Sequence, residues 1–86
     1  FLTELVVYRA SAEGFDLRSP AAPEERGGIV MLELLQPQQT VADLASRGFT
    51  VDYRPGLVRI SPHFFNTADD VDRLMDAIVE VQSGYR

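Results

Sequence analysis

The sequence predicts an α+β fold: a two-layer sandwich in which helices pack on one face of an antiparallel or mixed sheet of three to four strands. Segments with helical periodicity open and close the chain, and a run that is apolar on both faces lies in its first half. Two strand-like segments flank a Pro-Gly turn. At 86 residues the chain makes one domain, close to the size at which a single core becomes self-sufficient.

The N-terminal third of the chain supplies a helix, a short strand and a loop. Residues 2–12 carry apolar side chains at helical spacing, so the pattern predicts a helix that ends near Gly14. Residues 15–18 are predicted to be a short extended piece. The loop at 19–28 contains two prolines and two glycines, which exclude regular structure.

A strand and a second helix occupy the middle of the chain. Residues 29–35 (IVMLELL) are apolar on both faces, which predicts a strand covered on both sides. A linker at 36–39 follows, and Thr40 is predicted to open a short helix with Asp43 as its capping-box partner. Gly48 can adopt the left-handed conformation and is expected to end that helix.

A hairpin and a third helix complete the predicted fold. The strands at 49–53 and 57–61 flank a turn at 54–57 (RPGL), where proline second and glycine third are typical of a type II turn. Thr67 is predicted to cap the last helix. Its predicted buried stripe is Val71, Leu74, Met75, Ile78 and Val81, and its predicted water-facing residues are Asp72, Arg73, Asp76 and Glu80.

The turn fixes which side chains of the hairpin share a face. Asp52 lies opposite Arg59 on the side that the helices leave uncovered. The planar guanidinium of Arg59 is suited there to bidentate binding of a carboxylate. Spacing alone favours a plainer interpretation, in which Arg59 and Asp52 form an exposed ion pair that contributes about a few tenths of a kcal/mol. The helix-facing side is predicted to carry Val51, Tyr53, Val58 and Ile60.

Composition excludes several classes of function. A net charge of −5 without a basic cluster argues against binding to nucleic acid or to anionic membranes. The longest apolar run, residues 29–32, is far shorter than the roughly 20 residues that span a bilayer. Cysteine is absent, which excludes disulfides and thiolate metal sites and fits a cytoplasmic protein. His63 is the single histidine, so a metal site is not predicted.

One segment resembles a known family. Residues 52–78 (DYRPGLVRISPHFFNTADDVDRLMDAI) are similar to the C-terminal end of the class V aminotransferase family, which are fold type I pyridoxal 5'-phosphate (PLP) enzymes that include kynureninase and cysteine desulfurase. DYR followed by proline resembles a D-x-R segment of kynureninases, although we expect Arg54 itself to be a turn or surface residue. The stretches GFDLRSP and ERGGIV also resemble the kynureninase layout.

The resemblance implies that residues 1–86 are the C-terminal small domain of a larger PLP-dependent enzyme that acts on an α-amino acid. Arg59 occupies the position of the family's arginine that binds the substrate's α-carboxylate, and His63 is a candidate to border the same pocket. All eight basic residues are arginines, so no lysine amine can hold PLP as a Schiff base. We therefore expect no catalytic and no cofactor-binding residue here, with PLP bound by a large domain that this chain lacks.

The same resemblance sets the expected partners and the open alternatives. The partners would be an amino-acid substrate, the large domain of the same chain and a second subunit of a homodimer, and the chain alone would be inactive. Starting at Phe1 rather than methionine, the chain is expected to be a piece of a longer protein.

Kynureninase-like hydrolysis of a C–C bond is the first choice of reaction, and an aminotransferase- or epimerase-type reaction is the alternative, because SPHFFN is closer to those members. Cysteine desulfuration is disfavoured by the absence of cysteine. A free-standing α+β ligand-binding or regulatory module, with Arg59 as its anchor, is the alternative from another class.

Overall fold

The computed structural model describes residues 2–18, 29–61 and 67–85. Three helices and four strands lie within these ranges, which confirms the predicted α+β fold class. The predicted loop at 19–28 and the segment that contains His63 fall outside the described residues. In chain order the elements are α1 (Leu2–Ala12), β1 (Asp16–Leu17), β2 (Val30–Glu33), α2 (Pro37–Ser46), β3 (Asp52–Arg54), β4 (Leu57–Ile60) and α3 (Ala68–Ser83).

The four strands form one sheet in the order β1-β2-β4-β3, and every described pair is antiparallel. Since side chains alternate between the two faces of a strand, this register collects the apolar ones on one side. Val30 and Leu32 of β2 lie opposite Ile60 and Val58 of β4, and all four are buried. The helices cover this apolar side, and none of the described helices covers the opposite side, which we call the open face of the sheet.

Helix α3 provides the largest helical share of the core. Its stripe of Val71, Leu74, Met75, Ile78 and Val81 is buried as predicted. Each fully buried aliphatic side chain contributes about 1.5–3 kcal/mol. The helix begins with the predicted cap, because the Thr67 hydroxyl accepts from the Asp70 N–H at 3.2 Å and the Asp70 carboxylate accepts from the Thr67 N–H at 3.2 Å.

An arginine joins the two ends of the described chain. Arg9 of α1 donates to Asp72 at 2.7 Å and to Asp76 at 2.8 Å on α3. The pKa of Arg9 is raised, mainly by the hydrogen bond to Asp76. Partial burial opposes this rise, and the hydrogen bond to Asp72 adds to it. Asp72 and Asp76, predicted to face water, are therefore ion-pair partners at the rim of the α1–α3 contact.

Helix α2 begins earlier than the sequence suggested. It starts at Pro37, within the predicted linker, because a proline at the first helical position has no N–H that the helix would need to satisfy. Thr40 is therefore inside the helix and fully buried, so its predicted role as the opening cap residue is wrong. Gly48 follows the helix at φ 92°, in the left-handed region expected for a residue that ends it.

Two further predictions about the sheet need correction. Strand β2 is shorter than predicted, and Met31 and Glu33 on its open face are half-buried rather than fully covered. Tyr53 has the predicted register, opposite Val58, but it is 40% exposed rather than packed under the helices. Strand β3 is the edge of the sheet, and the buried core is centred on β2 and β4. Gly56 has φ 75° in the turn, as a type II turn requires.

Within residues 2–18, 29–61 and 67–85, no helix combines the length and the apolar content needed to cross a membrane.

Candidate carboxylate-binding face

The open face of the sheet is the candidate site. It consists of the side chains on the four strands that point away from the helices, together with the side chain of Arg18, the residue after β1. Met31 and Leu57 are apolar, and the other side chains are charged. Three of them are arginines and three are acidic, so the formal charge of the face is zero. The charged members are Asp16, Arg18, Glu33, Asp52, Arg54 and Arg59.

Arg59 lies at the centre of this face. It is on β4, which is hydrogen-bonded to β2 on one side and to β3 on the other. Met31 is its partner on β2. Asp52 is its partner on β3, as the turn predicted. Because ladders on both sides fix the backbone of β4, the base of the arginine side chain is rigidly positioned. Arg59 is half-buried.

Asp52 does not pair with the arginine that faces it. Its Oδ2 accepts from Arg54 Nη1 at 2.8 Å, and its Oδ1 accepts from the Tyr53 N–H at 2.8 Å. The hydrogen bond from Arg54 is the main cause of a lowered pKa at Asp52, followed by the Tyr53 N–H, and the charge of Arg59 adds to the same effect. Asp52 is therefore an ionised carboxylate that is held along its own strand. The exposed Arg59–Asp52 ion pair is not formed.

A second ion pair lies on the open face. Arg18 Nε contacts Glu33 Oε1 at 2.9 Å, which neutralises the acidic residue of β2. Among residues 2–18, 29–61 and 67–85, no ion pair ends on the guanidinium of Arg59. Asp16 is on β1, two strands away, and two strand spacings amount to about 10 Å. The centre of the face therefore presents one cation that the described acidic groups leave available.

A cleft at another part of the sheet does not suit an anion. A cleft of about 350 Å³ opens beside β1, with Asp16, Glu33 and Gln82 among its lining residues. Glu33 is paired with Arg18, and Asp16 leaves a negative charge without an ion pair among the described residues, which disfavours a carboxylate. The part of the chain that the structure describes also contains no group of three or more histidine or acidic side chains that could hold a metal ion. The open face around Arg59 is therefore the better candidate for binding a small acid.

His63, the second candidate from the sequence, lies outside the described residues, and its place beside the pocket stays a prediction. The sequence interpretation missed the role of Arg54 on the open face and the role of Gln82 in the core. Arg54 was interpreted as a plain turn residue, yet it holds Asp52. Gln82 is 3% exposed and hydrogen-bonds to Leu35 and Thr40. Gln82 follows Ile78 by four positions on the helical stripe, and this spacing could have identified it as a buried amide in need of partners.

Fold and site together define a class: a small α+β domain that presents, at the centre of a charged sheet face, one arginine without an ion pair among the described residues. The family model described as the kynureninase C-terminal domain matches residues 1–78 of the 86. The chain therefore belongs to the kynureninase C-terminal domain family, and the resemblance to kynureninase is confirmed. Searches of curated proteins and of solved structures found no match to the chain.

Family membership implies a PLP-dependent parent enzyme, because kynureninases use PLP. The residues of this chain do not fit covalent attachment of that cofactor. Its sequence contains no lysine, and a Schiff base to PLP needs a lysine amine. No residue of this chain can therefore form that Schiff base.

Proposed function

We propose that this chain is the domain that binds the substrate carboxylate in a kynureninase-like enzyme of the class V aminotransferase family. The parent enzyme would hydrolyse the C–C bond of L-kynurenine or a related β-substituted amino acid and release alanine. One observation supports this proposal above the others. Among the described residues, the Arg59 guanidinium has no salt bridge, although an ionised aspartate lies directly across from it.

Arg59 would bind the two carboxylate oxygens of the substrate through its planar fork of N–H donors. Arginine keeps its charge at any working pH, so the site remains cationic. The two ladders that fix β4 would hold the substrate in one orientation. Fixing the bonds around the substrate's Cα is a positioning effect, and it selects the bond that breaks.

The rest of the active site would come from other parts of the enzyme. PLP supplies the electron-withdrawing chemistry when it is bound, and the large domain of the same chain would hold it. A second subunit would complete a homodimer, with the substrate between the subunits and His63 beside it. The parent enzyme is proposed to be cytoplasmic, and this domain alone to be inactive.

The test is the Arg59→Ala variant of the full-length enzyme that carries this domain. Removing a charged partner of a bound carboxylate costs about 2–4 kcal/mol, so kcat/KM for L-kynurenine should fall about 30- to 1000-fold. The absorbance of the bound cofactor should not change, because this domain does not hold it. Arg47→Ala is the matched control, since Arg47 pairs with Glu80 between two helices, away from the open face. An Arg59→Ala enzyme with unchanged kcat/KM would contradict the assignment.

Product analysis separates the proposed reaction from its alternatives. Hydrolysis of L-kynurenine yields equal amounts of alanine and 2-aminobenzoate, whereas an aminotransferase releases a keto acid and an epimerase releases the other enantiomer. Each product can be quantified by chromatography after a single incubation. The matched residues 1–78 favour hydrolysis.

A further inference from the structure

Asp52 has two arginines within its reach. The strand register places it directly across from Arg59, where opposite charges ordinarily interact. It pairs instead with Arg54, two positions along its own strand, at 2.8 Å. The second oxygen of Asp52 is occupied by the Tyr53 N–H, so each oxygen of the carboxylate has a donor. Asp52 is thus the nearest internal competitor for Arg59, and it is engaged elsewhere.

Arg54 is well placed to hold Asp52. The same Nη1 that contacts Asp52 also donates to the Tyr53 carbonyl oxygen at 2.7 Å, so two acceptors fix the guanidinium. Arg54 is the first residue of the turn that ends with Leu57, and the φ of 75° at Gly56 defines the shape of this turn. The hairpin therefore fixes where the Arg54 side chain starts, on the same face of the sheet as Asp52.

We propose that Arg54 is a positioning residue: by holding the Asp52 carboxylate, it keeps the Arg59 guanidinium available to an incoming carboxylate. This inference rests on the proposed role of Arg59. Without Arg54, Asp52 is free to turn toward Arg59 and to occupy the group that the substrate needs. Molecules in which Asp52 pairs with Arg59 cannot bind the substrate carboxylate, so the apparent affinity falls in proportion to the fraction that remains unpaired. For a cross-strand pair, this lowers the apparent affinity about two- to sixfold.

The experiment compares variants of the full-length enzyme with L-kynurenine as substrate. Arg54→Ala should raise KM about two- to sixfold and leave kcat nearly unchanged, because only the availability of Arg59 is altered. The double variant Asp52→Asn/Arg54→Ala should restore the wild-type KM, since an amide cannot compete for Arg59 as an anion. L-Alanine and L-alaninamide serve as paired inhibitors, and only inhibition by L-alanine should weaken in Arg54→Ala.

A matched control separates this device from a general loss of positive charge. Glu33→Gln/Arg54→Ala restores the net charge of the face but leaves Asp52 free, so its KM should stay as high as that of Arg54→Ala. Rescue by Glu33→Gln to the same extent as by Asp52→Asn would overturn the proposal. Arg54→Gln, which keeps a donor for the Tyr53 carbonyl but no charge, replaces the alanine variant if that protein does not fold.

The outcomes distinguish this inference from the proposed function. If Arg59→Ala leaves inhibition by L-alanine unchanged, the carboxylate site itself is wrong. If Arg59→Ala abolishes that inhibition but Arg54→Ala matches wild type, only the positioning role is refuted. A raised KM in Arg54→Ala that Asp52→Asn does not rescue also refutes it, because Arg54 would then act without Asp52.

Discussion

Gln82 provides a direct test of how α3 is fixed to the rest of the domain. Its side chain is 3% exposed, and its Oε1 accepts from the Leu35 N–H at 2.7 Å. Its Nε2 donates to the Leu35 carbonyl oxygen at 3.0 Å and to the Thr40 hydroxyl at 2.8 Å. The amide therefore ties the end of α3 to the connection between β2 and α2. Gln82→Leu keeps a side chain of similar size and removes all three hydrogen bonds.

The expected loss can be estimated from what each partner retains. The Leu35 carbonyl still accepts from the Thr40 hydroxyl at 2.9 Å, so it keeps one donor. The part-buried Leu35 N–H loses the Gln82 acceptor, and because an unsatisfied buried donor costs about 1–3 kcal/mol, this loss lies near the lower end of that range. The more apolar leucine offsets about 1 kcal/mol of the loss from all three bonds. We expect the free energy of unfolding to fall by about 2 kcal/mol, which lowers Tm by about 8–16 °C for a domain of this size.

The assay is urea denaturation followed by circular dichroism. The denaturant midpoint should fall without a change in slope, because the surface exposed on unfolding is the same. Gln38→Leu is the matched control, since Gln38 is exposed on α2 and should change stability by less than about 0.5 kcal/mol. A Gln82→Leu chain as stable as the control would refute the idea that the amide fixes α3.

Two further predictions concern the last helix and the C-terminal tyrosine. Thr67→Ala removes the hydroxyl that caps α3 by accepting from the Asp70 N–H, and it should lower the free energy of unfolding by about 1 kcal/mol in the same assay. Thr50→Ala, at an exposed position, is the control and should not lower it. Burial and the hydrogen bond to Asp43 raise the pKa of Tyr85 above its usual 10.0. The folded chain thus holds this proton more tightly, so stability that is present below pH 10 should be lost as the pH rises through the folded-state pKa. The urea midpoint should show that loss in the wild type, and Tyr85→Phe should lack it; equal alkaline behaviour would contradict the pKa assignment.

Local chemistry accounts for what the sequence predicted well. The order of the elements follows from hydrophobic periodicity, and the pairing of Asp52 with Arg59 across the sheet follows from the length of one turn. Thr67 has its predicted capping role because a cap is decided within three residues. Each of these features depends on neighbours in sequence, which a single chain displays directly.

Choices between competing partners could not be predicted in the same way. The Thr40 hydroxyl accepts a hydrogen bond from Gln82, 42 positions away, instead of forming the predicted capping pair with Asp43, three positions away. Asp52 had two arginines in reach, and the choice of Arg54 depends on side-chain rotamers and on the Tyr53 carbonyl. Tyr53 alternates correctly, but its exposure depends on β3 being the edge strand.

The contact between the first and last helices has a consequence for synthesis of the protein. The Arg9–Asp72 ion pair spans 63 positions, and Val6 and Ala10 of α1 are fully buried in the core that α3 completes. The hairpin can close as soon as its short turn has been made, and α1 can meet β1 and β2 early, but it lacks its largest partner until α3 has left the ribosome. We therefore expect the part of α1 that packs on α3 to stay exposed during translation, and the domain to complete its core only when nearly all of it has emerged.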